Sequence, residues 1–213
     1  NVQENFRRFC AAVGADPMRV VLSKQVHAPN VRLVTGADAG KGLWRERDYQ
    51  SVDAMICNTP NLPLVVFSAD CGIILLHDPV HAAVGAVHAG WRGAAQGLVS
   101  IALRRMGEVF GTHPADVRAA IGAGIGPCCF ETDGDVPQAM RAALGAAADP
   151  YIEQRGAKWH VDLKGINAHW LRADGVEQID VCTHCTACRP DLYWSHRRMG
   201  NARGAQIAMI ALR

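Results

Sequence analysis

Apolar and polar positions alternate along this chain in short blocks. Residues 31–34, 64–67, 73–77, 83–88, 118–121, 179–181 and 207–212 are apolar runs bounded by Gly, Pro or Asp, a pattern that predicts buried strands. Helical spacing takes over at residues 94–110, 136–144 and 163–172. The first of these follows Gly93 and stops at Gly111, where a left-handed cap forms readily. Sheet layers covered by helices follow from this alternation, so the expected class is α/β. Pro60 and Pro63 bracket a loop ahead of the strand at Leu64, and residues 146–150 read as a flexible connection. No linker is long enough to split the chain, and residues 1–213 are expected to form a single domain.

Composition agrees with that reading. With 213 residues, 49% of them hydrophobic, the chain can bury a sizeable core without repeats or staples. The formal charge is +2 and the arginines are scattered, so no basic stripe points to a nucleic-acid partner. The longest apolar runs, such as 62–67, fall far short of the roughly 20 residues that cross a bilayer. No export signal opens the sequence as it stands, which makes a soluble, cytoplasmic protein without a membrane partner the expectation. The eight cysteines are then expected as reduced thiols, with Cys10 and Cys57 as plain core residues.

The polar ends of the strand-like runs carry the chemistry. Cys71 precedes the run that ends at His77, His88 closes the next, and His27 stands in the connection before Val31. Two imidazoles and one thiolate with a vacant fourth position suit a catalytic zinc or copper ion. Without a metal, Cys71 as nucleophile and His88 as base would equally suit a cysteine hydrolase. Asp70 can orient a ligand or accept a proton from water, or it can simply form the turn. Gly90 and Gly93 answer backbone demands around Trp91, since no Lys-Ser or Lys-Thr pair follows as a P-loop requires. Glycines at alternate positions from Gly122 to Gly126 let the backbone approach a neighbour closely, bringing Cys128 or Cys129 to the same cleft. Cys182, Cys185 and Cys188, with His184 between them, have the spacing of half a structural zinc or iron–sulfur site; reduced thiols or a disulfide are the alternative.

Several segments together resemble a known family. They are Gln25-Val26-His27, Ala69-Asp70-Cys71, Ala86 to Gly93, Ile125-Gly126-Pro127-Cys128-Cys129-Phe130 and Tyr193 to Arg198, in order across nearly the whole chain. The resemblance is to the bacterial YfiH-like family, also called laccase-domain or polyphenol oxidoreductase proteins and described as purine nucleoside phosphorylases with adenosine deaminase activity. It implies a mixed β-sandwich flanked by helices, also seen in cysteine-dependent toxin deamidases. It further implies that His27, Cys71 and His88 form a metal site, zinc in most members and copper in some. Cys71, His88 and Asp70 are the catalytic candidates. A metal with an open position lowers the pKa of bound water, which suits attack at C6 of adenosine. Phosphorolysis needs phosphate held against the ribose C1′ while the purine leaves, and Arg92, Arg197 and Arg198 are the anion-binding candidates. The implied partners are a nucleoside and phosphate; oligomeric state is left open. The older family name points instead to a copper-dependent phenol oxidase, although multicopper chemistry needs many more histidine ligands. The chain departs from the family pattern at Ala28, Met199 and Ala205, where Gly, Asp and Arg are common.

Overall fold

A computed structural model describes residues 2–213. Across the central sheet the six strands run Gln178–Val181, Arg118–Ile121, Gly72–Asp78, Ala83–Ala89, Ala54–Cys57 and Val31–Leu33. In chain order these are β2 (Val31–Leu33), β3 (Ala54–Cys57), β5 (Gly72–Asp78), β6 (Ala83–Ala89), β7 (Arg118–Ile121) and β11 (Gln178–Val181). A second sheet joins β1 (Val21–Leu22), β4 (Leu64–Ser68) and β12 (Gln206–Ile210). Met55, Cys57, Leu64, Val66, Val84 and Ala86 fill the space between the two sheets. On the opposite face of the central sheet, Ile56, Ile74, Leu76 and Val87 pack against α3 (Leu98–Phe110) and α5 (Leu163–Ala173). Neighbours such as Met55 and Ile56 thus point into different apolar layers, which is why these strands read as unbroken apolar runs. This is the expected α/β sandwich flanked by helices.

The expected helix at 94–110 is two helices, α2 (Trp91–Ala95) and α3. Gly97 lies between them at φ 64°, and a Cβ there would meet the Trp170 ring at 3.4 Å. The Trp170 indole donates to the Ala94 carbonyl at 2.9 Å, joining the Gly97 N–H that reaches the same acceptor at 3.2 Å. Residues 145–151 form a 3₁₀ turn with Ala148 buried, where the sequence suggested a flexible connection. The sequence reading also did not include α1 (Val2–Val13), β3, or a small sheet made of β8 (Glu131–Thr132), β9 (Ile152–Arg155) and β10 (Lys158–Val161). Between β8 and β9 runs α4 (Asp135–Leu144), and α6 (His196–Met199) lies just before β12. Cys10 and Cys57 are fully buried, as core residues should be.

Candidate active site

Strand register assembles the site. Antiparallel pairing sets Gly72 opposite Ala89 and Ile73 opposite His88, so Cys71 and His88 emerge at the same end of β5 and β6. On the other side of β6, Ala54 pairs with Val87, and the His88 N–H donates to the Asp53 carbonyl at 2.8 Å. Asp53 therefore arrives beside His88 through pairing alone.

The Asp53 carboxylate, wholly buried, holds two of the three expected ligands. It accepts from the consecutive N–H groups of Val26, His27 and Ala28 at 2.9, 2.9 and 3.1 Å, and lies 2.9 Å from His88 Nδ1. His27 has φ 63°, a conformation that side-chain-bearing residues rarely take. That conformation is what turns successive N–H groups toward one anion, and Asp53 stabilises it in return. Burial pushes the Asp53 carboxyl up, but these hydrogen bonds outweigh it and hold the group below the usual carboxylate range.

His27, Cys71 and His88 offer ligand atoms that all lie within 4.8 Å of one another. Cys71 Sγ is 3.8 Å from His27 Nε2, and the two imidazole rings meet edge to face with centroids 5.0 Å apart. Gly90, which precedes α2, allows this convergence: a Cβ there would stand 2.9 Å from His27 Cδ2 and 3.0 Å from Cys71 Sγ. Burial raises the Cys71 thiol, yet hydrogen bonding and charge from His27 and His88 bring it down to about 6. Burial likewise depresses His88, but Asp53 and Cys71 lift it to about 9. In the metal-free protein at neutral pH, Cys71 and His88 thus form a thiolate–imidazolium pair. The donor set fits a metal: one thiolate and two imidazoles, one ring oriented by a buried carboxylate, as zinc and copper ligands commonly are.

The other expected residues are distributed differently. Asp70, at φ 89°, accepts from Thr186 Oγ1 at 2.6 Å through one carboxylate oxygen and from the Arg197 N–H at 2.6 Å through the other. Both oxygens are thus engaged in joining the Cys71 loop to the carboxyl-terminal segment. The Arg197 guanidinium is committed to the carbonyls of Cys129 and Glu131, each at 2.9 Å. Arg198 donates to the Ala187 carbonyl at 3.2 Å, and Arg92 lies over the Trp91 ring at 4.3 Å.

A pocket of about 300 Å³ opens at His27 and Cys71, with Trp91 and Phe130 in its walls and His196 and Arg203 among its polar lining. Arg203 Nε is 3.2 Å from His196 Nδ1. Sequence reasoning missed Asp53, His196 and Arg203; His196 lies in the Tyr193 to Arg198 segment that carries the family resemblance, whereas only position in the fold reveals Asp53 and Arg203. A larger cleft of about 470 Å³ lies between Phe9, Val13, Asp16 and Met209, and shares no lining residue with the pocket.

The second cysteine cluster differs from the one expected. Cys185 and Cys188 do converge, but with Cys128 and Cys129, all four sulfurs lying within 4.8 Å of one another. Cys182 is not in this group. Its N–H continues the pairing of β11 with β7 by donating to the Ile121 carbonyl, and it lines a separate cleft with Val181 and Gly122.

A mixed sandwich with a His–Cys–His cluster at the ends of two central strands defines a laccase-like domain, and the chain belongs to the family described as multi-copper polyphenol oxidoreductase laccase, whose model matches residues 1–213. Among its relatives, a Bacillus subtilis protein named purine nucleoside phosphorylase YlmD is 34% identical over 220 residues, spanning 100% of this chain and 78% of its own length. Purine nucleoside phosphorylase YfiH of Escherichia coli is 33% identical over 198 residues, covering 93% of this chain and 76% of the relative. The crystal structure of the Bacillus licheniformis hypothetical protein YfiH superposes with a TM-score of 0.95 at 30% identity, covering 100% of this chain and 81% of that one. YlmD from Geobacillus stearothermophilus gives 0.92 at 32% identity, covering 100% and 80%.

Proposed function

We propose that the pocket is the active site of a purine nucleoside phosphorylase that acts on adenosine, inosine and related nucleosides and also deaminates adenosine. The observation that carries this reading is the convergence of His27, Cys71 and the buried His88 where His27 and Cys71 line a pocket with two aromatic walls and a cationic rim. Its volume, about 300 Å³, falls at the lower end of the roughly 300–1,000 Å³ of small-ligand sites. The names of relatives at 32–34% identity point the same way.

In phosphorolysis a phosphate oxygen bonds to the ribose C1′ as the C1′–N9 bond breaks, and its electron pair leaves with the purine. Trp91 and Phe130 offer faces for the base. Arg203 and His196 offer donors for phosphate beside Arg197, which lines the same pocket, whereas Arg92 and Arg198 are not among its lining residues. Arg197 acts as a positioning residue, fixing Cys129 and Glu131 on either side of Phe130. His27, Cys71 and His88 would hold the metal, zinc in the first instance, and Asp53 and Asp70 keep their loops in place. When bound, the metal supplies Lewis acidity for charge on the departing purine and for water in deamination.

The reading as a copper phenol oxidase is less well supported, because His27 and His88 are the only histidines among the metal-competent groups of the described residues. A cysteine hydrolase keeps one specific observation in its favour, the Cys71 thiol within 4.8 Å of the His27 and His88 ring nitrogens, which hold it below the ordinary thiol range. Metal removal separates the two. Chelated protein should lose nucleoside turnover and regain it with zinc, whereas turnover that survives complete metal removal would overturn the metal-dependent reading.

A further inference from the structure

Four thiols meet in a region of the molecule that the proposed reaction does not use. Cys188 Sγ lies 3.4 Å from Cys129 Sγ and 3.7 Å from Cys128 Sγ, and Cys185 completes a set whose members are all within 4.8 Å. Four thiolates arranged tetrahedrally about one ion at about 2.3 Å stand about 3.8 Å apart, which matches this spacing. A polynuclear iron–sulfur cluster would place its ligands on different irons and spread them further. The Gly126 N–H donates to Cys185 Sγ at 3.2 Å, the kind of support that orients a ligating sulfur. Cys128 and Cys188 are exposed, which provides an entry path, while Cys185 is buried.

From this geometry we propose that Cys128, Cys129, Cys185 and Cys188 bind a single tetrahedral metal ion of the zinc class, separate from the His27, Cys71 and His88 site. A saturated four-thiolate set leaves no position for substrate, so the ion is structural. It clamps two segments that meet only through long-range contacts. One is the turn from Gly122 to Phe130; the other runs from Cys182 toward α6. Apart from the ion they are joined by the Gly126 N–H on Cys185 Sγ, by the Thr186 N–H donating to the Gly124 carbonyl at 3.1 Å and by Arg197 on Cys129. The clamped turn carries Ile125 and Phe130 of the pocket, and the segment beyond the clamp carries His196 and Arg197. The ion therefore braces one wall of the pocket from behind.

The experiment is elemental zinc analysis of protein grown with zinc and purified under reducing conditions, on wild type, Cys71→Ala, Cys188→Ser and Cys182→Ser. Cys71→Ala should keep one equivalent of zinc, Cys188→Ser should lose it from the cluster, and Cys182→Ser should match wild type. Because Cys188→Ser can unfold for other reasons, cobalt is also exchanged into Cys71→Ala, where the intense charge-transfer bands of a tetrahedral tetrathiolate site should appear. Zinc-free Cys71→Ala that gives no such bands with cobalt would overturn the proposal. So would an intact mass two or four hydrogens short, which marks the thiols as disulfides.

Discussion

Asp53 links three backbone donors and one imidazole, and its replacement separates charge from shape. Asp53→Asn keeps the volume but offers one acceptor oxygen where two are used. Metal affinity measured by competition with a chelator should fall about 10- to 100-fold, the usual effect of losing such an orienting partner. Wild-type affinity in that variant would show that the carboxylate does not position the ligands. The thiol beside it offers an independent check. With Cys71 held at about 6, its alkylation rate in metal-free protein should rise with pH to a plateau and pass its midpoint near pH 6. A midpoint close to the ordinary thiol value, near 8.5, would contradict the ion pair with His88. His27, Cys71 and His88 were legible in sequence because metal-ligating types stand at the ends of apolar runs. Asp53 was not: it lies 35 positions from His88, and only the pairing of β3 with β6 makes them neighbours.

Among the elements, the break between α2 and α3 aims the site. Ending α2 after Ala95 lets it start at Trp91, beside His27 and Cys71, while α3 turns to cover the central sheet. Gly97 makes that break at φ 64° against the Trp170 ring. Gly97→Ala should destabilise the protein by about 1–2 kcal/mol, the cost of a left-handed residue with a Cβ, read as a lower midpoint in urea. An unchanged midpoint would mean that the break is not fixed by this residue. Helical spacing ran straight through residues 94–110 in the sequence because a lone Gly interrupts no apolar period. Likewise, the two-residue spacing of Cys182, Cys185 and Cys188 suggested one group, but Cys182 still belongs to the β11 ladder while the chain turns away after it. Its replacements in the cluster, Cys128 and Cys129, lie 60 and 59 positions before Cys188, beyond the reach of any local pattern.

For the whole molecule, the strands of the central sheet other than β3 were legible as apolar runs, most clearly β5 and β6, which are covered on both faces. The small β8, β10 and β9 sheet was not, since its strands are short and mostly part-exposed. Global stability should carry an acid-sensitive contribution from Asp38, which bonds Lys41 and Arg32 at 2.8 Å each. Burial pushes its carboxyl up, but Lys41, the Thr35 N–H and Arg32 outweigh that and hold it at about 2. A carboxyl lowered on folding stabilises the protein above its unfolded pKa of about 3.9, and that contribution is lost as pH falls toward 2. Wild type should therefore lose stability between about pH 4 and pH 2, and Asp38→Asn should flatten that part of the curve; parallel curves would contradict the assignment. Among the described residues no helix is long and apolar enough to cross a membrane. Phosphorolysis at the site proposed for His27, Cys71 and His88 is read most directly as base release from inosine by zinc-loaded protein with and without phosphate. Hypoxanthine and ribose 1-phosphate should form in equal amounts only when phosphate is present, and turnover should drop at least about 100-fold in His88→Ala, as expected when a metal ligand and its charge stabilisation are lost. Zinc-loaded protein that releases no base, or releases it equally without phosphate, would contradict the account.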